Sequence, residues 1–226
     1  MPVVKHDDHK EDIELLLKEI DIEKRGVVHI GAHKGQEVGL YLELGFKNIM
    51  LIEANPHWVE FLKQEFRDTP EVHVIHMAIA NLTGEIDLHI HTSQSGSTEP
   101  ASILQMKEFN KIVKTLNTAE TIKVPASKLE DLFKDNYRIN DYNVINVDVQ
   151  GAEIQVFKGC GETLNEFDAI ISEVNLIELY EECALEQEID DYLATYSFKK
   201  DKCVYHELYK DDGRFPAWGE CLYLKG

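Results

Sequence analysis

The sequence predicts an α/β fold with a mostly parallel sheet and helices on both faces. Short apolar runs alternate with amphipathic stretches from Val27 to Met77, and the connections between them are short. This alternation is typical of parallel sheets, because two parallel strands need a crossover that is usually a helix. Two glycines, Gly31 and Gly35, separate the first apolar run from the first amphipathic stretch, as in a tight strand-to-helix turn.

A chain of 226 residues is long enough for one α/β domain with a sizeable core and not clearly long enough for two. No linker, internal repeat or low-complexity tract divides it. We therefore predict one domain over residues 1–226, with residues 1–25 as an N-terminal helical extension. A helix is expected from Asp7 to Ile22, because four apolar residues recur at helical spacing within it: Ile13, Leu16, Leu17 and Ile20.

The first part of the core is predicted to contain three strands and two helices. The strands are Val27–Ile30, Ile49–Glu53 and Val72–Met77. The helices are Gln36–Leu44 and His57–Phe66. Asn55 and Pro56 precede the second helix as its cap and its first helical position.

The middle of the chain departs from this pattern. Ile86–His91 alternates apolar and polar residues, which predicts an edge or hairpin strand. Thr92–Ser102 is polar and has no periodicity, so we expect a loop on the substrate side of the molecule. Lys107–Leu116 is expected to form a short helix.

The last part returns to alternating strands and helices. The predicted strands are Ile122–Val124, Asn143–Val149, Ala169–Val174 and an antiparallel pair, Phe198–Glu207 with Glu220–Leu224. The predicted helices are a short one from the capping box Ser127–Glu130 to Phe133, then Ile154–Lys158, and a long amphipathic helix over Leu176–Tyr196.

The bulk composition restricts the partners and the compartment. A net charge of −19 argues against a nucleic-acid partner, because its phosphates would be repelled. No run approaches the roughly 18 apolar residues of a membrane span, and the first residues lack the apolar stretch of a secretory signal. We therefore expect a cytoplasmic protein, and a homo-oligomer is compatible with the sequence.

The cysteines are scattered and include no Cys-x-x-Cys pair: Cys160, Cys183, Cys203 and Cys221. In a protein expected to be cytoplasmic, this distribution favours unpaired thiols over a disulfide framework or a zinc site.

The glycine turn and a later acidic residue together indicate a nucleoside site. Glu53 ends the second apolar run about 18 residues after Gly35, where a carboxylate can accept hydrogen bonds from a ribose diol. The spacing Gly31-x-x-x-Gly35 lacks the Gly-x-Gly-x-x-Gly pattern of a pyrophosphate site, and no P-loop is present. A cofactor with a ribose and an adenine but no phosphates fits these features, and S-adenosylmethionine is such a cofactor.

Several longer motifs make a family resemblance specific. They are VVHIGAHKGQE (27–37), LIEANP (51–56), IKVPASKLEDLF (122–133), VINVDVQGAEIQVFKG (144–159) and IISEVN (170–175). Over Val27–Asn175, and more loosely over the C-terminal hairpin, the chain resembles the FkbM family of S-adenosylmethionine-dependent methyltransferases. The stretch from Asp148 to Gly159 is the strongest single signal.

The resemblance implies a Rossmann-like class I methyltransferase fold with seven strands in the order 3-2-1-4-5-7-6. It also implies O-methylation, with a hydroxyl of a sugar, glycan or secondary metabolite as the acceptor. The implied cofactor residues are the turn residues Gly31, Ala32, His33 and Gly35, the ribose partner Glu53 with its neighbours Ala54 and Asn55, the adenine neighbours Ala78 and Ile79, and Asp148 facing the methyl group. His29 departs from the family, which often has an acidic residue there, so the methionyl amine is expected to contact Glu37 or a backbone carbonyl instead.

Methyl transfer to a hydroxyl benefits from a base near the acceptor oxygen. Asp148 is the first candidate, followed by Glu173 and Glu153. Asp148 and Glu173 end neighbouring predicted strands, so both would reach one acceptor, and a divalent cation shared between them stays open as a less favoured alternative. Glu153 lies in the first turn of a helix, where a capping role competes with catalysis. Trp218 is expected to pack, with a wall of the acceptor site as the alternative.

Two other functions remain compatible with a strand-turn-helix cofactor site. One is an oxidoreductase that uses a nicotinamide dinucleotide, which the missing third glycine disfavours. The other is a catalytically silent module that binds a nucleoside, which the full set of expected cofactor residues disfavours. The sequence does not identify the acceptor.

Overall fold

The computed structural model describes residues 9–18, 20–93, 98–107, 116–135, 137–210 and 213–226. The helices within these ranges are α1 (His9–Leu17), α2 (Val38–Glu43), α3 (Pro56–Glu65), α4 (Leu129–Asp135), α5 (Glu153–Cys160) and α6 (Glu186–Ala194). The strands are β1 (Gly26–Ile30), β2 (Asn48–Glu53), β3 (Val72–His76), β4 (Ala78–Ile79), β5 (Gly84–Ser93), β6 (Thr98–Ser102), β7 (Leu116–Ser127), β8 (Val144–Val147), β9 (Ala169–Asn175), β10 (Phe198–Lys210) and β11 (Gly213–Lys225).

The main sheet has seven strands in the order β10-β11-β9-β8-β1-β2-β3. The strands from β3 to β9 along this sheet run parallel, whereas β11 is antiparallel to both β9 and β10. Counted by chain position within the sheet, this order is 3-2-1-4-5-7-6, so the predicted topology is confirmed. The carboxyl ends of β1, β2 and β8 therefore lie side by side.

Alternate residues of the central strands face two hydrophobic layers, because side chains alternate across a strand. Val28 and Ile30 of β1 face the layer that contains Phe157 of α5. Val27 faces the opposite layer, with Leu16 of α1. Helices thus cover both faces of the sheet, as predicted.

A second sheet, which the sequence did not predict, contains β4, β7, β5 and β6 in that order. The strand expected at Ile86–His91 is confirmed within β5. The loop expected at Thr92–Ser102 is wrong for residues 92–93 and 98–102, which belong to β5 and β6, and residues 94–97 lie outside the described ranges. Here the backbone pairing with β7, Thr92 opposite Asn117, forms a strand without apolar periodicity.

Two helix predictions need correction, and a third cannot be compared. The N-terminal helix ends at Leu17 rather than Ile22. The long helix predicted over Leu176–Tyr196 begins only at Glu186, because the apolar residues before it are buried in a separate cluster with Met106 and Leu208 instead of on one helix face. The helix predicted at Lys107–Leu116 lies outside the described residues except at its two ends.

The expectation that all cysteines are unpaired is wrong for two of them. Cys203 and Cys221 oppose each other on β10 and β11 and form a disulfide. This pairing follows from the register of the hairpin, which no local cysteine motif announces. Cys160 and Cys183 are free and buried. None of the described helices has both the length and the apolar character that crossing a membrane requires.

Candidate active site

A cavity of about 280 Å³ opens at the carboxyl ends of β1, β2 and β8. Ligands of open parallel sheets ordinarily bind at this edge. Its walls come from the turns after β1, β2, β3 and β8 and from the end of β6. Three carboxylates line it, those of Glu37, Glu53 and Asp148.

The turn after β1 is held tightly against the turn after β8. Gly31 has a φ of +86°, and its backbone N–H donates to Ile52 O over 2.9 Å. A Cβ on Gly31 would lie 1.8 Å from the carbonyl oxygen of Asp148, which leaves room for no other residue. The geometry therefore couples the glycine turn to the carboxylate expected to face the methyl group.

Glu53 is buried at the end of β2 and organises the backbone around the cavity. Its Oε2 accepts from His33 N over 2.8 Å, and its Oε1 accepts from Asn55 N over 2.7 Å. Burial raises the pKa of this carboxyl, while the backbone donors oppose that shift. Each carboxylate oxygen has a further lone pair, so both remain able to accept a ribose hydroxyl.

A buried polar cluster lies behind the glycine turn. Glu37 Oε2 is 3.9 Å from His29 Nδ1, and the Tyr41 hydroxyl is 3.3 Å from the same nitrogen. Asn146 Nδ2 donates to the Tyr41 hydroxyl over 2.8 Å. Burial, followed by the nearby Glu37 carboxylate, raises the Tyr41 pKa well above its ordinary value. His29 and Glu37 both reach the cavity, so they can face a cationic group together.

The other side of the cavity is apolar and suits a flat ring. Ala78 and Ile79 of β4 line it, with Leu88 of β5 beyond them. Trp58 of α3 also lines the cavity, and its ring centroid lies 4.5 Å from that of His33. Ala78 and Ile79 therefore give part of the cavity an apolar wall.

Asp148 follows β8 directly and is linked to a second carboxylate through Gln150. Gln150 Nε2 donates to Asp148 Oδ1 over 2.7 Å and to Glu173 Oε2 over 3.4 Å. The Tyr180 hydroxyl donates to Gln150 Oε1 over 2.7 Å. Burial, together with the nearby Glu173 and Asp148 carboxylates, raises the Tyr180 pKa well above its ordinary value, so the phenol stays a donor.

Glu153 holds the turn that contains Gln150. Its Oε1 accepts from the backbone N–H groups of Val149 and Gly151, over 3.3 and 3.0 Å. It is buried, and burial raises its pKa to about 8, although the backbone donors oppose the shift. Glu153 is absent from the cavity wall, so its position matches the capping role more closely than direct catalysis.

The chain matches the methyltransferase FkbM domain over residues 29–205, which is more than half of its length. It belongs to the FkbM methyltransferase family. The protein is therefore an S-adenosylmethionine-dependent methyltransferase. A curated relative, 2-O-methyltransferase NoeI of Sinorhizobium fredii (strain NBRC 101917 / NGR234), is 25% identical over 177 residues, which cover 76% of this chain and 71% of the relative.

Solved structures share the fold of this FkbM methyltransferase at low sequence identity. One, from Listeria monocytogenes, is proposed to be an S-adenosylmethionine-dependent methyltransferase; it has a TM-score of 0.55 at 12% identity, with 95% of this chain and 96% of that chain covered. Another is Sp1610 of Streptococcus pneumoniae, a proposed tRNA (m1A22) methyltransferase in complex with S-adenosyl-L-methionine, with a TM-score of 0.53 at 10% identity and coverages of 95% and 72%.

The donor set of this FkbM methyltransferase fits its cofactor. A buried carboxylate suits the ribose, an apolar pair suits the adenine, and three carboxylates line a cavity that would receive a sulfonium and an ammonium group. Family membership favours this cofactor over the nicotinamide dinucleotide that the sequence left open.

Most of the residues expected at the site of this FkbM methyltransferase do come together. The cavity is lined by His29, Gly31, Ala32, His33, Glu37, Glu53, Ala54, Ala78, Ile79 and Asp148. The remaining candidates stand outside its lining: Gly35, Asn55, Glu153 and Glu173. Of these, Asn55 caps α3 with its side chain and donates its backbone N–H to Glu53, whereas a Cβ on Gly35 would come within 2.8 Å of Phe66.

Sequence reasoning missed several residues of the cavity wall. They are Lys34, Gln36, Trp58, Met77, Leu88, Ala101, Ser102, Ile103, Val149, Gln150 and Ala152, together with the strand residues Ile30 and Ile52. Gln150 lies inside the strongest family motif, so its position was available as a signal. Ala101 and Ser102 lie in the segment Thr92–Ser102, which was expected on the substrate side, although as a loop rather than as the end of β6. Trp218 stacks on His206 at 5.3 Å and is absent from the cavity lining.

Proposed function

We propose that this protein transfers a methyl group from S-adenosylmethionine to a hydroxyl oxygen of a sugar, glycan or other small-molecule acceptor, with Asp148 as the base. The observation that carries this proposal is Asp148 itself, a half-buried carboxylate at the mouth of β8 that lines the cavity while one of its oxygens is held by Gln150. A relative named as a 2-O-methyltransferase supports oxygen as the methylated atom.

The chain's own groups divide the cofactor between them. Glu53 would accept from the ribose hydroxyls, and Ala78 and Ile79 would pack against the adenine. Glu37 would face the methionyl ammonium, with His29 oriented beside it. The two buried carboxylates would thus gain hydrogen-bonding or charged partners, which buried charges need, and the apolar pair would face the ring.

The reaction asks the protein mainly for positioning, because the cofactor supplies a methyl group that its sulfonium already activates. Asp148 would take the hydroxyl proton as the new oxygen–carbon bond forms and the sulfur–carbon bond breaks. Asp148 Oδ1 is engaged by Gln150, so Oδ2 is the oxygen that would face the acceptor. Glu173 would act indirectly, by accepting a hydrogen bond from the Gln150 amide. Glu153 would hold the turn through the backbone N–H of Gly151.

Calorimetry with S-adenosylmethionine and S-adenosylhomocysteine tests the cofactor, and absence of binding to both would contradict the proposal. Turnover is measured as S-adenosylhomocysteine release with a panel of methyl glycosides and simple alcohols, and products are identified by mass spectrometry. Asp148→Asn is expected to keep the cofactor dissociation constant within about threefold while turnover falls about 100- to 10,000-fold. Asp87→Asn, an exposed carboxylate on β5, is the matched control.

Two outcomes would decide against parts of this proposal. An Asp148→Asn variant with wild-type turnover removes Asp148 as the base. Tight cofactor binding without a methylated product from any acceptor in the panel would favour the silent binding module that the sequence left open.

A further inference from the structure

One side-chain amide lies between the two carboxylates at the acceptor end of the cavity. Gln150 Nε2 is 2.7 Å from Asp148 Oδ1 and 3.4 Å from Glu173 Oε2. Both carboxylates come from the ends of neighbouring parallel strands, β8 and β9. Two carboxylates this close to a common point ordinarily need a donor or a cation between them, because like charges repel.

The orientation of this amide follows from the two carboxylates. Because a carboxylate only accepts, the amide atom that faces Asp148 and Glu173 is the NH₂ group, and Gln150 Oε1 is left to accept from the Tyr180 hydroxyl over 2.7 Å. Tyr180 is itself fixed, because its ring lies against Gly151, where an added Cβ would come within 2.7 Å of the ring. The donor therefore points at the carboxylates.

The backbone at Gln150 is held by groups other than its side chain. Its φ is +56°, a conformation that few residues other than glycine adopt. Ser102 Oγ donates to Gln150 O over 2.8 Å, and Glu153 accepts from the flanking N–H groups of Val149 and Gly151. Since the turn has its own hydrogen bonds, the amide is not needed to form it.

We propose that Gln150 is a positioning residue that holds Asp148 and Glu173 apart and fixes the Asp148 carboxylate toward the acceptor, in the place that a divalent cation would otherwise take. This inference rests on the proposed function, in which Asp148 faces the acceptor hydroxyl. It adds that a chain of hydrogen bonds, Tyr180–Gln150–Asp148, orients the base at the acceptor end of the cavity; we call this chain the amide clamp. It also predicts that turnover does not depend on divalent cations.

Gln150→Gly removes the side-chain amide and preserves the turn, because glycine adopts a φ of +56° without strain. The variant is expected to bind S-adenosylhomocysteine within about threefold of the wild type, while its melting temperature falls because Tyr180 loses its acceptor and the two carboxylates lose their common donor. With the best acceptor from the glycoside and alcohol panel, kcat is expected to fall about 100-fold, because misplacement by about 1 Å has that effect, while KM changes little. A purely structural residue would instead lower the melting temperature without this selective fall in kcat, or would weaken cofactor binding as much as turnover.

Tyr180→Phe removes only the donor to Gln150 Oε1 and keeps the ring against Gly151. Loss of one hydrogen bond predicts a fall in kcat of about tenfold, smaller than that of Gln150→Gly. Tyr205→Phe, an exposed tyrosine on β10 that bonds to Glu186, is the control and is expected to keep wild-type turnover. Wild-type turnover after treatment with a chelator is expected to be unchanged.

A second measurement needs no acceptor. In protein labelled with ¹⁵N-glutamine, the Gln150 NH₂ protons are expected to exchange with solvent at least about tenfold more slowly than those of exposed Gln64, because they are bonded to carboxylates. Exchange as fast as that of Gln64 would overturn the clamp, as would wild-type kcat in Gln150→Gly or chelator-sensitive turnover restored by Mg²⁺. Failure of the proposed function differs from all three, since it appears as a wild-type protein that methylates nothing in the panel.

Discussion

The two halves of the cavity are built in different ways. In the cofactor half, Glu53 is held by backbone N–H groups, one of them only two residues away on Asn55. In the acceptor half, Gln150 and its partners Ser102, Glu173 and Tyr180 come from distant parts of the chain and meet mostly through side chains. A site made from local backbone is contained in short motifs, whereas a side-chain network also recruits residues such as Ser102 and Tyr180, which lie in none of the motifs.

Gly31→Ala is expected to break both halves at once and to have the largest effect. The added Cβ would lie 1.8 Å from Asp148 O, and alanine is unfavourable at a φ of +86°. We expect a loss of about 3 kcal/mol in the free energy of unfolding, measured in urea, together with loss of cofactor binding and turnover.

Gly39→Ala is the control for this substitution. Gly39 is exposed in α2, and a Cβ added there would meet nothing within 4 Å. Alanine favours a helix over glycine, so this variant is expected to gain about 0.5 to 1 kcal/mol. Equal stability of the Gly31 and Gly39 variants would show that the two turns are not coupled.

Glu53→Gln perturbs the cofactor half of the cavity and leaves the residues of the acceptor half unchanged. The amide cannot accept from two backbone donors with both of its end atoms, and it loses the charge that favours a ribose partner. The dissociation constant for S-adenosylhomocysteine, measured by calorimetry, is expected to rise about 10- to 100-fold, while kcat at saturating cofactor changes less. Glu65→Gln on the exposed face of α3 is the control, and a larger effect on kcat than on affinity would contradict the division.

The features that could be predicted from the sequence are those that depend on local patterns, and the features that were missed depend on contacts between distant segments. Gly31, Glu53 and the parallel core could be predicted from the sequence, because glycine turns, strand-end acids and alternating periodicity are local patterns. The strand order came from the family resemblance rather than from periodicity. Tyr180 was assigned to a helix and the end of β6 to a loop, since what fixes both is pairing between distant segments, such as Met106 with Tyr180.

Glu153 tests how the turn of the acceptor half depends on pH. Its pKa in the folded protein is raised to about 8 from an ordinary value of 4.5, so the folded state holds a proton that the unfolded state releases between these values. The stabilising contribution is complete below about pH 4.5 and is lost as the pH rises through about 8. Stability is therefore expected to fall over this window by at most about 1.4 kcal/mol per pH unit.

Glu153→Gln should remove this slope, because a neutral amide resembles the protonated carboxyl and keeps an oxygen for the two backbone donors. Urea unfolding of the variant and of the wild type at several pH values between about 5 and 8 makes the comparison. Glu162→Gln, at an exposed position beyond the end of α5, is the control. A wild-type slope in the Glu153 variant would mean that other groups carry the pH dependence.

Ser102→Ala asks how much the second sheet contributes to the acceptor half, and its expected effect is the smallest. The variant removes the hydroxyl that donates to Gln150 O over 2.8 Å and accepts from Leu104 N over 3.0 Å, without changing the glycine turn or Glu53. One neutral hydrogen bond contributes about 1 kcal/mol, so kcat is expected to fall about fivefold while the cofactor dissociation constant stays within about twofold. Ser127→Ala, at a buried serine of β7 whose hydroxyl donates to Lys128 O over 3.1 Å, is the matched control for loss of a hydroxyl in the second sheet. If Ser102→Ala weakened cofactor binding as much as turnover, the second sheet would support both halves, and the contrast between local and distant construction would hold only for Glu53.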